Sequence, residues 1–111
     1  MSIKTGAFFP TRDVPADQAL IKDWTQAAEE IGFDYIEVSD HVLGANRDEH
    51  KNFEGPYDVD DSFHETFCTL SFMAAVTKNI GLVSGVLILK GLIAYKPLAK
   101  FNVSPLLFLV T

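Results

Sequence analysis

Asp40 and His41 stand side by side just after a short apolar stretch, Tyr35-Ile36-Glu37-Val38, which Gly32 precedes and Gly44 follows. An imidazole titrates near neutrality and can move a proton, and a neighbouring carboxylate can fix its tautomer. The stretch reads as a strand, so the pair falls where a strand ends and a loop begins. In βα proteins ligands collect at the carboxyl ends of strands. The dipeptide alone equally describes an Asp capping a loop and a His bonded to backbone, since such pairs are common at turns.

Other chemistry-bearing residues point less sharply. His41, His50 and His64 share one irregular stretch with Asp58, Asp60 and Asp61, but their spacing fits no zinc pattern. Asp58-Val59-Asp60-Asp61 starts like a calcium loop, yet position six is Phe63 and position twelve is Thr69, where Gly and Glu are required. A solvated acidic loop is the better reading, with no metal expected. Cys68 lies in an apolar helical pattern and reads as a core residue rather than a nucleophile. No Gly-x-Gly-x-x-Gly is present, so a dinucleotide-binding Rossmann site has no support.

The elements that must position Asp40 and His41 alternate. Residues 3–9 read as a first strand ending at Pro10. Asp17 is an N-cap for a helix to about Ile31, with Leu20, Trp24, Ala27, Ala28 and Ile31 on one face. Trp24 reads as the anchor of that helix on the sheet. Gly32 sits where a glycine ends a helix, and the second strand follows at once, as in a parallel crossover. Residues 42–64 keep no period and read as a binding loop, a lid or a disordered stretch. Residues 65–78 form a second helix, with Phe67, Leu70 and Ala74 in one row and Cys68, Phe72, Ala75 and Val76 in another. That wide apolar arc predicts a well-buried helix. Residues 80–89 are a third strand, apolar enough to be covered on both faces, with Gly81 and Gly85 interrupting it. Beyond Leu89 the pattern decays.

The chain has 111 residues and a net charge of −6. That size gives one small domain. The negative charge argues against nucleic acid and against an anionic membrane surface. The single cysteine fits a reducing compartment, and the cytoplasm is expected. The first residues lack the apolar core of a signal peptide, and no window is long and apolar enough to span a bilayer.

Several segments resemble, in order and spacing, the amino-terminal part of the bacterial-luciferase-like family. They are Phe8-Phe9-Pro10-Thr11, Ala27-Ala28-Glu29-Glu30-Ile31-Gly32-Phe33-Asp34, Val38-Ser39-Asp40-His41-Val42-Leu43, Ala74-Ala75-Val76-Thr77-Lys78-Asn79-Ile80-Gly81-Leu82 and Ser84-Gly85-Val86-Leu87-Ile88-Leu89. The branch using the deazaflavin coenzyme F-420 looks nearest. The resemblance implies an α/β fold, an incomplete (βα)8 TIM barrel of which the first three parallel strands and two helices are present. It implies a flavin- or deazaflavin-dependent oxidoreductase or monooxygenase acting on a small organic substrate, with coenzyme F-420 as cofactor and FMN as the alternative. It gives Asp40 and His41 cofactor contact and proton transfer, at the carboxyl edge beside the end of strand three. It gives Gly85-Val86 a non-prolyl cis peptide behind the cofactor ring, or a kink if that bond is trans, and it places Phe9 and Pro10 at the pocket floor.

Residues 90–111 depart from the family pattern, so residues 1–89 are read as the barrel part and 90–111 as a truncated or frame-shifted tail. A full barrel needs about 250 residues. The rival expectation is an inactive barrel fragment that self-associates or acts only as an interaction module. Open sheet edges and uncovered apolar surface predict a homo-oligomer, or a rearrangement in which residues 92–111 cover that surface.

Overall fold

The structure, a computed structural model, describes residues 2–41 and 44–88. Its elements are β1 (Gly6–Phe8), α1 (Gln18–Ile31), β2 (Tyr35–Ser39), α2 (Thr66–Val76) and β3 (Gly81–Val86). The three strands are parallel, in the order β1-β2-β3. This is the α/β succession expected. The described residues make an open sheet and no closed barrel. The tail, 90–111, and the domain boundary at Leu89 lie outside the described residues.

Helix α1 has both of its written signals. Asp17 caps it, its Oδ1 accepting from the backbone N–H of Ala19 (2.8 Å) and Leu20 (3.3 Å). Gly32 ends it in the left-handed conformation, φ 96°. Phe33 N–H then reaches Ala28 O and Gly32 N–H reaches Glu29 O, the paired closing bonds of a Schellman turn.

The buried face of α1 differs from the one expected. Ile21, Thr25 and Ala28 are buried, while Leu20 and Ile31 are 48% and 74% exposed. The helix is turned by roughly one residue, about 100°. Thr25 makes this possible: its hydroxyl donates to Ile21 O at 2.6 Å, so a polar side chain enters the core with its hydrogen bond made. Trp24 does pack on the sheet, edge-on to Phe9 with ring centroids 5.1 Å apart.

Helix α2 is corrected in the same sense. Its buried residues are Thr66, Thr69 and Met73, whereas Phe67, Leu70, Phe72 and Val76 are half-buried and Cys68, Ala74 and Ala75 exposed. The side chains are apolar nearly all round, so apolarity gives no direction. Threonine hydroxyls decide it: Thr69 donates to Glu65 O (2.8 Å) and Thr66 to Ser39 O (3.3 Å).

Alternation along the strands sends Ala7, Phe9, Ile36 and Val38 toward the helices, into one core with Ile21, Ala28, Met73 and Ile80. Among the described residues nothing covers the other face. Phe8, Val83 and Val86 are 57%, 45% and 59% exposed, so β3 is covered on one side and not, as expected, on both. Its pairing with β2 runs Val38↔Ser84 and then Ser39↔Val86. Gly85 is therefore an extra, bulged residue. No cis peptide bond occurs among the described residues, which corrects the expected cis Gly85-Val86 bond. The kink is present instead as the bulge, which bends a strand without the cost of a non-prolyl cis bond, about 3–4 kcal/mol.

Residues 44–64 contain only turns and one isolated bridge, Ala45↔Asp58. Arg47 organises them. Its guanidinium bonds Asp58 and donates to the carbonyls of Phe53 (3.3 Å) and Gly55 (3.1 Å).

Candidate functional site

Asp40 follows β2 directly, and its backbone N–H donates to Val86 O at 3.2 Å. The pair Asp40-His41 therefore lies at the carboxyl edge of the sheet, beside the end of β3. Both carboxylate oxygens of Asp40 are engaged. Oδ2 accepts from the backbone N–H of Ile88 (2.8 Å), and Oδ1 shares the single Thr66 hydroxyl proton with Ser39 O, each at 3.3 Å. Asp40 thus ties the end of β2 to the start of α2 and to the chain leaving β3. Neither oxygen bonds the His41 ring, so tautomer control by Asp40 is not what the geometry contains.

His41 is held by rings. Its centroid lies 4.5 Å from Phe63 and 5.1 Å from Tyr57, and those two lie 5.0 Å from each other. Edge and tilted contacts at these separations are the favourable aromatic arrangements. His41 Nε2 is buried and has no hydrogen-bond partner among the described residues. A buried polar atom without a partner costs about 1–3 kcal/mol, so it marks a place where a ligand atom would be welcome. Arg12 lies over Tyr57, 5.7 Å from its centroid, and reaches Asp61 at 3.7 Å. Residue types alone did not single out Tyr57, Phe63 or Arg12. The available signal was two aromatic residues bracketing an acidic run in a loop that follows a His.

The remaining expected site residues separate. Val86 exposes its side chain at the carboxyl edge while its carbonyl holds Asp40. Gly85 is at the bulge, where a Cβ would collide with the Glu37 carboxylate. Phe9 is not at that surface. Its ring is fully buried under α1, and the neighbouring Phe8 is the one on the open face. His64 Nε2 lies 2.7 Å from Val14 O, and His50 is an exposed loop residue. Cys68 is exposed, not a core residue. Its contact with the Glu65 carboxylate, and then burial, raise the thiol pKa, which keeps it protonated and a poor nucleophile. In the loop, the Arg47 hydrogen bond and then the Asp60 N–H lower the Asp58 pKa.

Among the described residues no three His, Cys, Asp or Glu side chains gather to hold a metal ion. No described helix is long and apolar enough to cross a membrane. An open hollow lies at the opposite, amino edge, lined by Lys4, Glu29, Asp34, Tyr35 and Asn79 among others. Carboxylate oxygens there already accept backbone hydrogen bonds. Glu29 Oε1 accepts from the N–H of Asn79 (2.6 Å) and Ile80 (3.0 Å), and Asp34 Oδ2 from that of Thr5 (2.7 Å). The carboxyl edge, with an orphaned imidazole nitrogen, is the better site.

Residues 3–92 match the family model of the luciferase-like monooxygenases. No curated protein and no solved structure matches the chain. The match spans most of the sequence and includes every described element and the Asp40-His41 edge, so the chain belongs to the luciferase-like monooxygenase family.

Proposed function

We propose that the chain binds a flavin-type cofactor at the carboxyl edge of β2 and β3 and serves the oxidoreduction of a small organic substrate, by hydride transfer or oxygen insertion. Coenzyme F-420 is the cofactor of first choice, on the sequence resemblance, and FMN the second. The residues present fit such a group: an unpartnered imidazole nitrogen can meet a polar ring edge, and the exposed Val86 side chain offers apolar contact. When bound, the cofactor supplies hydride or electron chemistry that side chains lack.

The chain's own residues have separable roles in this reading. His41 donates or accepts a proton at Nε2. Tyr57 and Phe63 fix its ring and keep water from it. Asp40, bonded to Ile88 N–H and to Thr66, is a positioning residue that sets where the ends of β2 and β3 stand. Gly85 and Val86 contribute a bent backbone and an apolar surface. The same reading puts the chain in the reducing cytoplasm, where a lone Cys68 stays a thiol. It also has the chain self-associate through the open edges of β1 and β3.

The observation that carries the reading is the buried His41 Nε2, without a partner among the described residues, at the carboxyl edge of a chain in this family. Fluorescence titration of the chain with F-420 and with FMN tests it. Saturable binding of one of them, weakened by His41→Ala, is expected. The open apolar face favours a second reading, an interaction module without activity, and absence of binding by either cofactor would leave that one standing.

A further inference from the structure

Thr11, Thr25, Thr66 and Thr69 are the buried threonines among the described residues. Three of them have partners. Thr25 donates to Ile21 O, Thr69 donates to Glu65 O, and the Thr66 hydroxyl is shared between Ser39 O and Asp40 Oδ1. Thr11 differs. It is 4% exposed, and its Oγ1 has no hydrogen-bond partner among the described residues. The backbone around it is bonded: Thr11 N–H donates to Phe9 O (2.8 Å), and Pro10 O accepts from the N–H of Asp13 (2.9 Å) and Val14 (3.0 Å). A hydroxyl can turn toward any acceptor in reach, so one left unpaired in a buried place is uncommon.

Only Thr11 Oγ1 and His41 Nε2 are buried side-chain polar atoms without a partner among the described residues. Both follow the carboxyl ends of neighbouring parallel strands, Thr11 three residues after β1 and His41 two residues after β2. Tyr57 connects the two places. The guanidinium of Arg12, next to Thr11, lies over the Tyr57 ring at 5.7 Å, and that ring lies 5.1 Å from the His41 ring. The turn carrying Thr11 and the His41 ring therefore meet the same loop side chain. Arg12 holds the loop loosely, because it reaches Asp61 only at 3.7 Å, longer than a hydrogen bond, and an exposed pair of this kind contributes little. The loop can yield there to a ligand.

We infer that the Thr11 hydroxyl is a second ligand contact at the carboxyl edge, hydrogen-bonding the same group that His41 meets. The inference rests on the proposed cofactor reading and adds the end of β1 to the site. A hydroxyl and an imidazole can each donate and accept. Together they suit a heterocycle that presents a carbonyl oxygen and a ring N–H on one edge, as F-420 and FMN both do.

Thr11→Val, which removes the hydroxyl and keeps the shape, tests it beside Thr11→Ser. Thermal melting of the cofactor-free full chain and fluorescence titration with F-420 and with FMN are the readouts. Thr11→Val is expected to melt at the same temperature as the unaltered chain or higher, because no hydrogen bond is lost. For whichever cofactor binds, Thr11→Val is expected to weaken binding about fivefold, and Thr11→Ser to stay within about twofold of the unaltered chain. A Thr11→Val chain that melts lower, or does not fold, overturns the inference, since the hydroxyl then has a structural partner. Equal affinity of Thr11→Val, or equal weakening by Thr11→Ser, overturns it while leaving the cofactor reading standing. Binding of neither cofactor by the unaltered chain overturns both.

Discussion

His41 leaves a buried polar atom that the described fold does not use. Its ring is clamped by Tyr57 and Phe63, but among the described residues Nε2 bonds nothing. His41→Ala is therefore expected to weaken cofactor binding about tenfold, the loss of one good hydrogen bond, while the melting temperature falls little. Asp40 has the opposite balance. Asp40→Asn leaves only one acceptor oxygen where Ile88 N–H and the Thr66 hydroxyl now use two. A loss of about 0.5–1.5 kcal/mol is expected in urea unfolding, the net worth of one exposed to half-buried hydrogen bond. The sequence made both residues legible because a charged pair after an apolar run is conspicuous. It did not make their division of labour legible, because Thr66 and Ile88 are far away in sequence and supply the partners that decide it. Phe9 misleads for a related reason: alternation sends Phe8 and Phe9 to opposite faces, and two identical residues give no sign of which is which.

At the scale of elements, Asp17, Gly32 and the strands were readable because their signals are local. Asp17→Ala is expected to cost about 1 kcal/mol, and Gly32→Ala about 1–2 kcal/mol, because Cβ is strained at φ 96°. Urea or thermal unfolding of each variant measures this. The buried faces of α1 and α2 were not readable, since Thr25, Thr66 and Thr69 are buried through hydroxyl bonds that hydropathy ignores. The join between α1 and β3 has a pH signature. Backbone N–H groups of Asn79, Lys78 and Ile80 hold the Glu29 carboxyl below its ordinary value of 4.5. A lowered folded pKa means the stabilisation is complete above about pH 4.5 and is lost as pH falls further. The melting gap between the chain and Glu29→Ala is expected to be constant above that pH and to close below it. A gap that widens on acidification would contradict this.

For the whole molecule, the parallel order and the edge where Asp40 and His41 stand follow from βα alternation, whereas the open face does not. An apolar strand reads the same whether one face or both are covered. The loop over the edge was equally unreadable as a structure, because its order comes from Arg47 bonding three distant positions and from Arg12 spanning to Asp61 and Tyr57. Arg47→Ala is expected to speed proteolytic cleavage within residues 44–64 several-fold while the core is cut at its former rate. Uniform cleavage of both regions would show that the loop is not separately organised.

The central claim is that the cofactor sits at the carboxyl edge of β2 and β3, around His41. Backbone and imidazole nuclear magnetic resonance spectra of the full chain, recorded during addition of F-420, test it most directly. The expected result is a set of saturable shifts at His41, Val86 and Ile88, with the amino-edge residues Lys4, Asp34 and Asn79 still. Shifts confined to Lys4, Asp34 and Asn79, or no shifts anywhere at saturating F-420 and FMN, would contradict the account.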